Sequence, residues 1–112
     1  MDCIFCRIAS AEIPTDFAYQ DDEIVAFKDI NPIAPVHLIV IPRKHIESLA
    51  RMTAEHAALM GRMVSVANRL ASEAGVSQQG YRLVANCGPD AGQEVPHLHL
   101  HVIGGRKLGE LA

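Results

Sequence analysis

The run His97-Leu98-His99-Leu100-His101-Val102-Ile103 alternates imidazole and aliphatic side chains. A helix brings residues three and four apart onto one face, whereas a strand brings alternate residues there. Only a strand sorts this run cleanly. The spacing predicts a strand over 97–103, with Leu98, Leu100 and Val102 turned to a core. The three imidazoles then share the other face, spaced about 6.6 Å apart. One histidine in such a place is ordinarily a satisfied core or surface residue. Three in strict alternation point to a site.

The rest of the chain supplies partners for that strand. Residues 3–10 read as a short helical turn closed by Glu12-Ile13-Pro14. Phe17-Ala18-Tyr19 and Ile24-Val25-Ala26-Phe27 read as two strands joined through Gln20–Glu23, and Asn31-Pro32-Ile33-Ala34-Pro35 as a loop, since two prolines remove ladder donors. Val36–Pro42 is a strand rich in β-branched residues. From Thr53 to about Ala74, Leu59, Met63, Val66 and Leu70 recur at helical spacing, with Thr53 as N-cap and Gly75 just past the end. Tyr81–Asn86 is a further strand and Cys87–Gly92 a turn. This order predicts an α+β fold: a mostly antiparallel five-stranded sheet, one long helix on one face and a short N-terminal helix.

At 112 residues the chain fits one domain spanning 1–112. It is 49% hydrophobic, with a net charge of −3 and ten scattered Lys and Arg residues, which argues against a nucleic-acid or anionic-membrane partner. No apolar run reaches spanning length, and Met1-Asp2-Cys3 is unlike a signal peptide, so a cytoplasmic protein is expected. Three cysteines are too few for a disulfide scaffold.

Three imidazoles on one face can surround a phosphate or hold a metal. Neutral imidazole is a good nucleophile near pH 7 and a good leaving group afterwards, which suits a covalent phospho-intermediate. Neighbouring imidazoles can donate to oxygens where charge develops. The preceding Cys87-Gly88-Pro89-Asp90-Ala91-Gly92-Gln93-Glu94 has glycines that let backbone N–H groups approach a phosphate, although Gly-Pro-Asp is also an ordinary turn. His37, at an alternating position of another strand, becomes a fourth imidazole if the two strands are neighbours. A metalloenzyme reading stays open, but no nearby carboxylate ligand or H-E-x-x-H pattern accompanies the histidines.

His-Leu-His-Leu-His-Val-Ile matches the HφHφHφφ signature of the histidine triad family. Ile13-Pro14, Ala26-Phe27-Lys28-Asp29-Ile30, Ala34-Pro35-Val36-His37, Ile41-Pro42-Arg43-Lys44-His45-Ile46 and Gly92-Gln93 extend the likeness over nearly the whole chain. The chain resembles the bacterial-type phosphoramidase (Hint) branch. Asn86 stands where the dinucleoside-polyphosphate hydrolases tend to have glutamine, and His101 where the galactose-1-phosphate uridylyltransferases have it.

The resemblance implies hydrolysis of purine nucleoside phosphoramidates through a nucleotidyl-histidine on His99, with no catalytic cofactor. It implies that His101 and His37 assist by hydrogen bonding, that the His97 carbonyl orients His99, and that Asp29 accepts from the ribose hydroxyls. Ile8, Ile13, Phe27, Ile30 and Ile39 would line a purine slot, with ordinary core as the plain alternative for Ile39. Asn86 and Gly92-Gln93-Glu94-Val95 would face the phosphate and leaving group. Glu94 replaces the serine of eukaryotic relatives, which leaves the leaving-group preference open. A homodimer joined through a continuous sheet and the long helix is implied as well. The competing readings are a non-catalytic nucleotide-binding or scaffold protein and a dinucleoside polyphosphate hydrolase.

Cys3-Ile4-Phe5-Cys6 is a CxxC pair, a common half of tetrahedral zinc sites, and His45 and His97 are the candidates to complete one, as the resemblance to some bacterial-type members implies. The alternatives are two packed thiols or a redox pair. Cys87 has no evident partner and reads as a buried thiol.

Overall fold

The computed structural model describes residues 3–111. Its elements are α1 (Ile4–Ala9), β1 (Phe17–Gln20), β2 (Ile24–Lys28), β3 (Val36–Pro42), α2 (Ala57–Glu73), β4 (Tyr81–Val84) and β5 (Leu100–Gly104). The strands form one sheet in the order β1-β2-β3-β5-β4, with every neighbouring pair antiparallel. The α+β architecture expected from the sequence is the one observed.

Both faces of the sheet's centre are covered, and this decides how β2 and β3 read. Ile24, Ala26, Leu38 and Val40 pack with Leu59, Met63, Val66 and Leu70 of α2. Val25, Phe27, Ile39 and Ile41 face the other way, where Cys3, Phe5, Ile8 and Ala9 of the α1 segment cover them. Strands buried on both faces lose the apolar–polar alternation and become continuous apolar runs, as these do. Leu98, Leu100 and Val102 join the α2 core as expected. The histidines lie on the α1 side.

Three boundaries differ from the sequence reading. Regular α-helix begins at Ala57 rather than Thr53, because a 3-10 turn over Ala54–His56 precedes it. There the Thr53 hydroxyl accepts the Glu55 N–H at 3.3 Å and His56 Nδ1 accepts the Thr53 N–H at 3.0 Å, a capping box with histidine in the usual place of glutamate. The histidine strand starts at Leu100, since the Leu98 N–H donates to the Ile46 carbonyl at 2.6 Å instead of entering a ladder. β4 accordingly stops at Val84, opposite His101. Cys87 is half-buried rather than buried. Among the described residues no helix is long and apolar enough to cross a membrane.

Candidate active site and thiol–imidazole cluster

β3 and β5 are neighbours, with Ile39 opposite His101 and His37 opposite Ile103. The adjacency on which a fourth imidazole depended is therefore present. His37 Nε2 lies 2.8 Å from His101 Nδ1, and the His99 and His101 ring centroids are 5.0 Å apart. His37 and His99 are buried and His101 is half-buried.

Backbone groups assign the protons on these rings. The Ile33 N–H donates to His37 Nδ1 at 3.2 Å, so in the neutral ring the His37 proton sits on Nε2. That N–H donates to His101 Nδ1, which places the His101 proton on Nε2. His99 Nδ1 lies 2.6 Å from the His97 carbonyl, an acceptor only, so Nδ1 carries the proton and Nε2 keeps its lone pair. The arrangement yields one imidazole ready to attack and a neighbour ready to donate.

Burial pushes the His101 pKa down to about 4, with the neighbouring His99 and His37 imidazoles adding to the shift. His101 is thus neutral near pH 7. Asp29 sits at the end of this chain: its Oδ2 is 3.4 Å from His37 Nε2, and its Oδ1 accepts the Asn31 N–H at 2.8 Å. The Asx turn so formed opens the Pro-rich loop between β2 and β3 and fixes the carboxylate at the site's rim.

The expected purine-slot residues divide. Ile8, Phe27 and Ile39 are buried in the layer between α1 and the sheet, and Ile13 packs on its edge. Ile30 stands apart on the loop, 92% exposed. Asn86 is half-buried just beyond β4. Val95 packs on the α1 layer, while Glu94 is exposed. Gly92 adopts a left-handed conformation (φ 85°) that closes a 3-10 turn over Pro89–Ala91. The Gln93 side chain ties that loop down. Its Oε1 accepts the Gly88 N–H at 2.9 Å, and its Nε2 donates to the Glu47 and Val95 carbonyls at 2.8 and 3.0 Å.

Phe5 escaped the sequence reading. Its ring meets His99 edge-on at 5.1 Å between centroids, and also contacts Phe27 at 5.6 Å and His97 at 5.9 Å. Its place between two cysteines that face the sheet was the available signal.

The histidine row separates between His97 and His99. The His97 side chain points away from the other triad rings, into a cluster with Cys3, Cys6 and His45 whose ligand atoms all lie within 4.8 Å of one another. Cys3 Sγ is 3.3 Å from His97 Nδ1, and Cys6 Sγ is 3.3 Å from His45 Nδ1 and 3.5 Å from His97 Nδ1. A tetrahedral zinc with ordinary Zn–S and Zn–N bonds sets such sulfur–nitrogen edges at about 3.6 Å. His97 Nε2 donates to the Pro42 carbonyl at 2.8 Å, which leaves Nδ1 unprotonated toward the cluster and supplies an outer partner of the kind metal-bound histidines carry. Among the described residues the buried His45 Nε2 has no hydrogen-bond partner, so the ring's orientation answers to Nδ1. Burial, together with the Cys3 thiol beside it, pushes the Cys6 thiol up to about 11.

Comparison with known proteins agrees with this geometry. The HIT domain family model matches residues 10–108. The chain is 44% identical over 110 residues to the purine nucleoside phosphoramidase of Escherichia coli K12, covering 98% of this chain and 92% of that protein. It is 47% identical to protein HitA of Neisseria gonorrhoeae, covering 92% and 95% of the two chains. A histidine triad protein from Clostridium difficile superposes with a TM-score of 0.95 at 46% identity, over all of this chain and 97% of that one. A HIT family hydrolase from Legionella pneumophila does so with the same TM-score at 44% identity, over 96% of each chain. A match over nearly the full length, in sequence and in fold, leaves one conclusion: this chain belongs to the HIT domain family.

Proposed function

We propose that this protein hydrolyses the phosphorus–nitrogen bond of purine nucleoside phosphoramidates through a covalent nucleotidyl intermediate on His99. The observation that carries the reading is the hydrogen bond from His99 Nδ1 to the His97 carbonyl, which leaves Nε2 free on the ring. The name of the E. coli relative supports the substrate class.

The steps follow from the proton assignments. His99 Nε2 attacks the α-phosphorus as the P–N bond breaks, and the ring takes on positive charge. The Nδ1–H bond to a carbonyl strengthens as that charge develops. The departing nitrogen takes a proton from solvent and leaves as the neutral amine, while His101 Nε2–H donates a hydrogen bond to the phosphoryl oxygens where charge develops and His37 Nε2–H supports His101 from behind. Water then attacks the nucleotidyl-histidine, gives up a proton to solvent, and releases the nucleoside monophosphate with His99 restored. The balance is phosphoramidate and water in, monophosphate and amine out. Every step is carried by these side chains, with no catalytic cofactor.

Asp29 is assigned to the ribose hydroxyls, and Ile8, Ile13, Phe27, Ile30 and Ile39 to the purine. Asn86, Gly92, Glu94 and Val95 are assigned to the phosphate and leaving-group side, where Gln93 acts by holding the loop's shape. Cys3, Cys6, His45 and His97 form a structural zinc site, since four protein ligands leave no open position for chemistry. The functional unit is a homodimer joined along β4 and α2.

Quenched-reaction mass spectrometry with an adenosine phosphoramidate tests the central claim. A nucleotidyl adduct is expected on His99, and His99→Ala should lose turnover by several orders of magnitude while still binding AMP. An adduct on another residue, or turnover preserved in the variant, overturns the assignment.

A further inference from the structure

The thiol–imidazole cluster and the nucleophile share one peptide group. His97 and His99 precede β5, so no sheet ladder holds the peptide between His97 and Leu98. Its carbonyl accepts from His99 Nδ1 at 2.6 Å, and its N–H donates to the Ile46 carbonyl at 2.6 Å. The residue on one side of this clamp is His97, and the residue before Ile46 is His45. Both belong to the cluster. A metal bound there would cross-link the two segments that the Leu98–Ile46 hydrogen bond joins. A second route runs through α1. Between the cluster's cysteines sits Phe5, whose ring packs edge-on against His99.

We propose that a zinc-class divalent ion held by Cys3, Cys6, His45 and His97 positions the nucleophile: by fixing the His97–Leu98 peptide and the Phe5 ring, it holds His99 in the tautomer and rotamer that leave Nε2 free. The proposal rests on the zinc site described above but assigns it a role beyond stability. His45, Cys3 and Cys6 become positioning residues for a reaction whose atoms they do not touch. Binding releases the protons of the two thiols, and nothing else changes covalently.

The test uses the full chain, loaded with zinc or stripped by chelation, with histidines labelled by ¹⁵N. In the loaded protein His99 should show one tautomer, with an Nδ1–H that exchanges slowly with water. Stripping should speed that exchange at least tenfold and mix the tautomers, while methyl signals of the α2 core remain folded. Cys6→Ser should behave as stripped protein, and Cys6→Asp, which keeps a ligand atom, should regain protection when zinc is added. Should the stripped protein unfold, His45→Gln with one ligand removed provides the comparison. Zinc bound one per chain with His99 exchange and tautomer unchanged overturns the coupling alone. No zinc bound overturns the metal site and this proposal with it. The covalent role of His99 is judged separately, by the adduct.

Discussion

A histidine becomes a nucleophile or a proton donor according to which ring nitrogen keeps the proton, and here backbone groups decide. The Ile33 N–H and the His97 carbonyl act from opposite ends of the row and leave His99 and His101 with complementary roles. Asp29 touches this chain and faces the rim, so ribose recognition is expected to depend on it. A 2′-deoxy substrate leaves this half-buried acceptor short of a donor, at a cost of about 1–3 kcal/mol. Asp29→Ala should therefore erase most of the difference in kcat/KM between ribo and deoxyribo substrates. Equal discrimination before and after places the ribose elsewhere. The His101 shift predicts a pH dependence of stability. Its folded pKa is about 4, against an ordinary value of 6.5. As pH falls below 6.5 the unfolded chain takes up a proton that the folded protein refuses, so stability drops through this window and levels off below 4. Burial lowers the His97 pKa in the same direction, so part of the slope stays when His101 is removed. Urea midpoints of metal-free protein across pH 4–7 should fall less steeply in His101→Gln than in wild type. Identical slopes would show that His101 titrates normally.

At the scale of elements, the loops are held by specific residues. Gln93 closes the loop before the histidines with three hydrogen bonds to backbone. Gln93→Ala should cost about 1–3 kcal/mol, since it leaves backbone groups without partners. A calorimetric loss well below that would mean water replaces the amide. Gly105, just after β5, has φ 95° and no room: an added Cβ would meet Pro35 Cβ at 2.9 Å. Gly105→Ala should destabilise by about 1–3 kcal/mol, readable as a lower Tm. An unchanged Tm would mean that the Pro35 loop yields freely. Such contacts explain what the sequence could and could not disclose. The His97–Ile103 alternation was legible because the chemistry of its side chains changes with the strand period. The α2 helix was legible from its apolar spacing, but its start was displaced because a histidine completes the cap of the preceding 3-10 turn. The six residues of α1 are too short for periodicity to show which side faces the sheet, and so Phe5 went unseen. The Ile33 N–H and the Pro42 and Ile46 carbonyls were illegible for another reason. Backbone groups carry no residue identity, and only folding brings them to a ring.

At the scale of the whole molecule, β4 and the outer side of α2 are the surfaces along which the proposed homodimer would join. β4 is an edge strand with every residue half-buried. The protein exposes 6957 Å². That is roughly 900 Å² more than a compact monomer of this mass is expected to expose, and a standard interface removes about 800 Å² per partner. The exposed tail over 105–111 supplies part of this excess. Gly61 adds an independent argument. It lies inside α2 with nothing within 4 Å of an added Cβ, so a monomer has no use for a glycine there. In a helix interior glycine costs roughly 0.5–1 kcal/mol relative to alanine. Gly61, Ser65, Asn68 and Ser72 form one exposed stripe, and the Tyr81 hydroxyl of β4 donates to Asn68 at 2.5 Å, which places the stripe beside the sheet edge. Close approach of a second α2 across a two-fold axis would explain why the stripe is small. Sedimentation of the wild type should then give twice the chain mass, and Gly61→Arg should give a folded monomer. Gly61→Ala separates the cases further. In a monomer it should stabilise by the propensity difference, whereas in a dimer packed at this point it should lower Tm and weaken association. A wild type that sediments as a monomer, with Gly61→Ala more stable, would remove the dimer from the account.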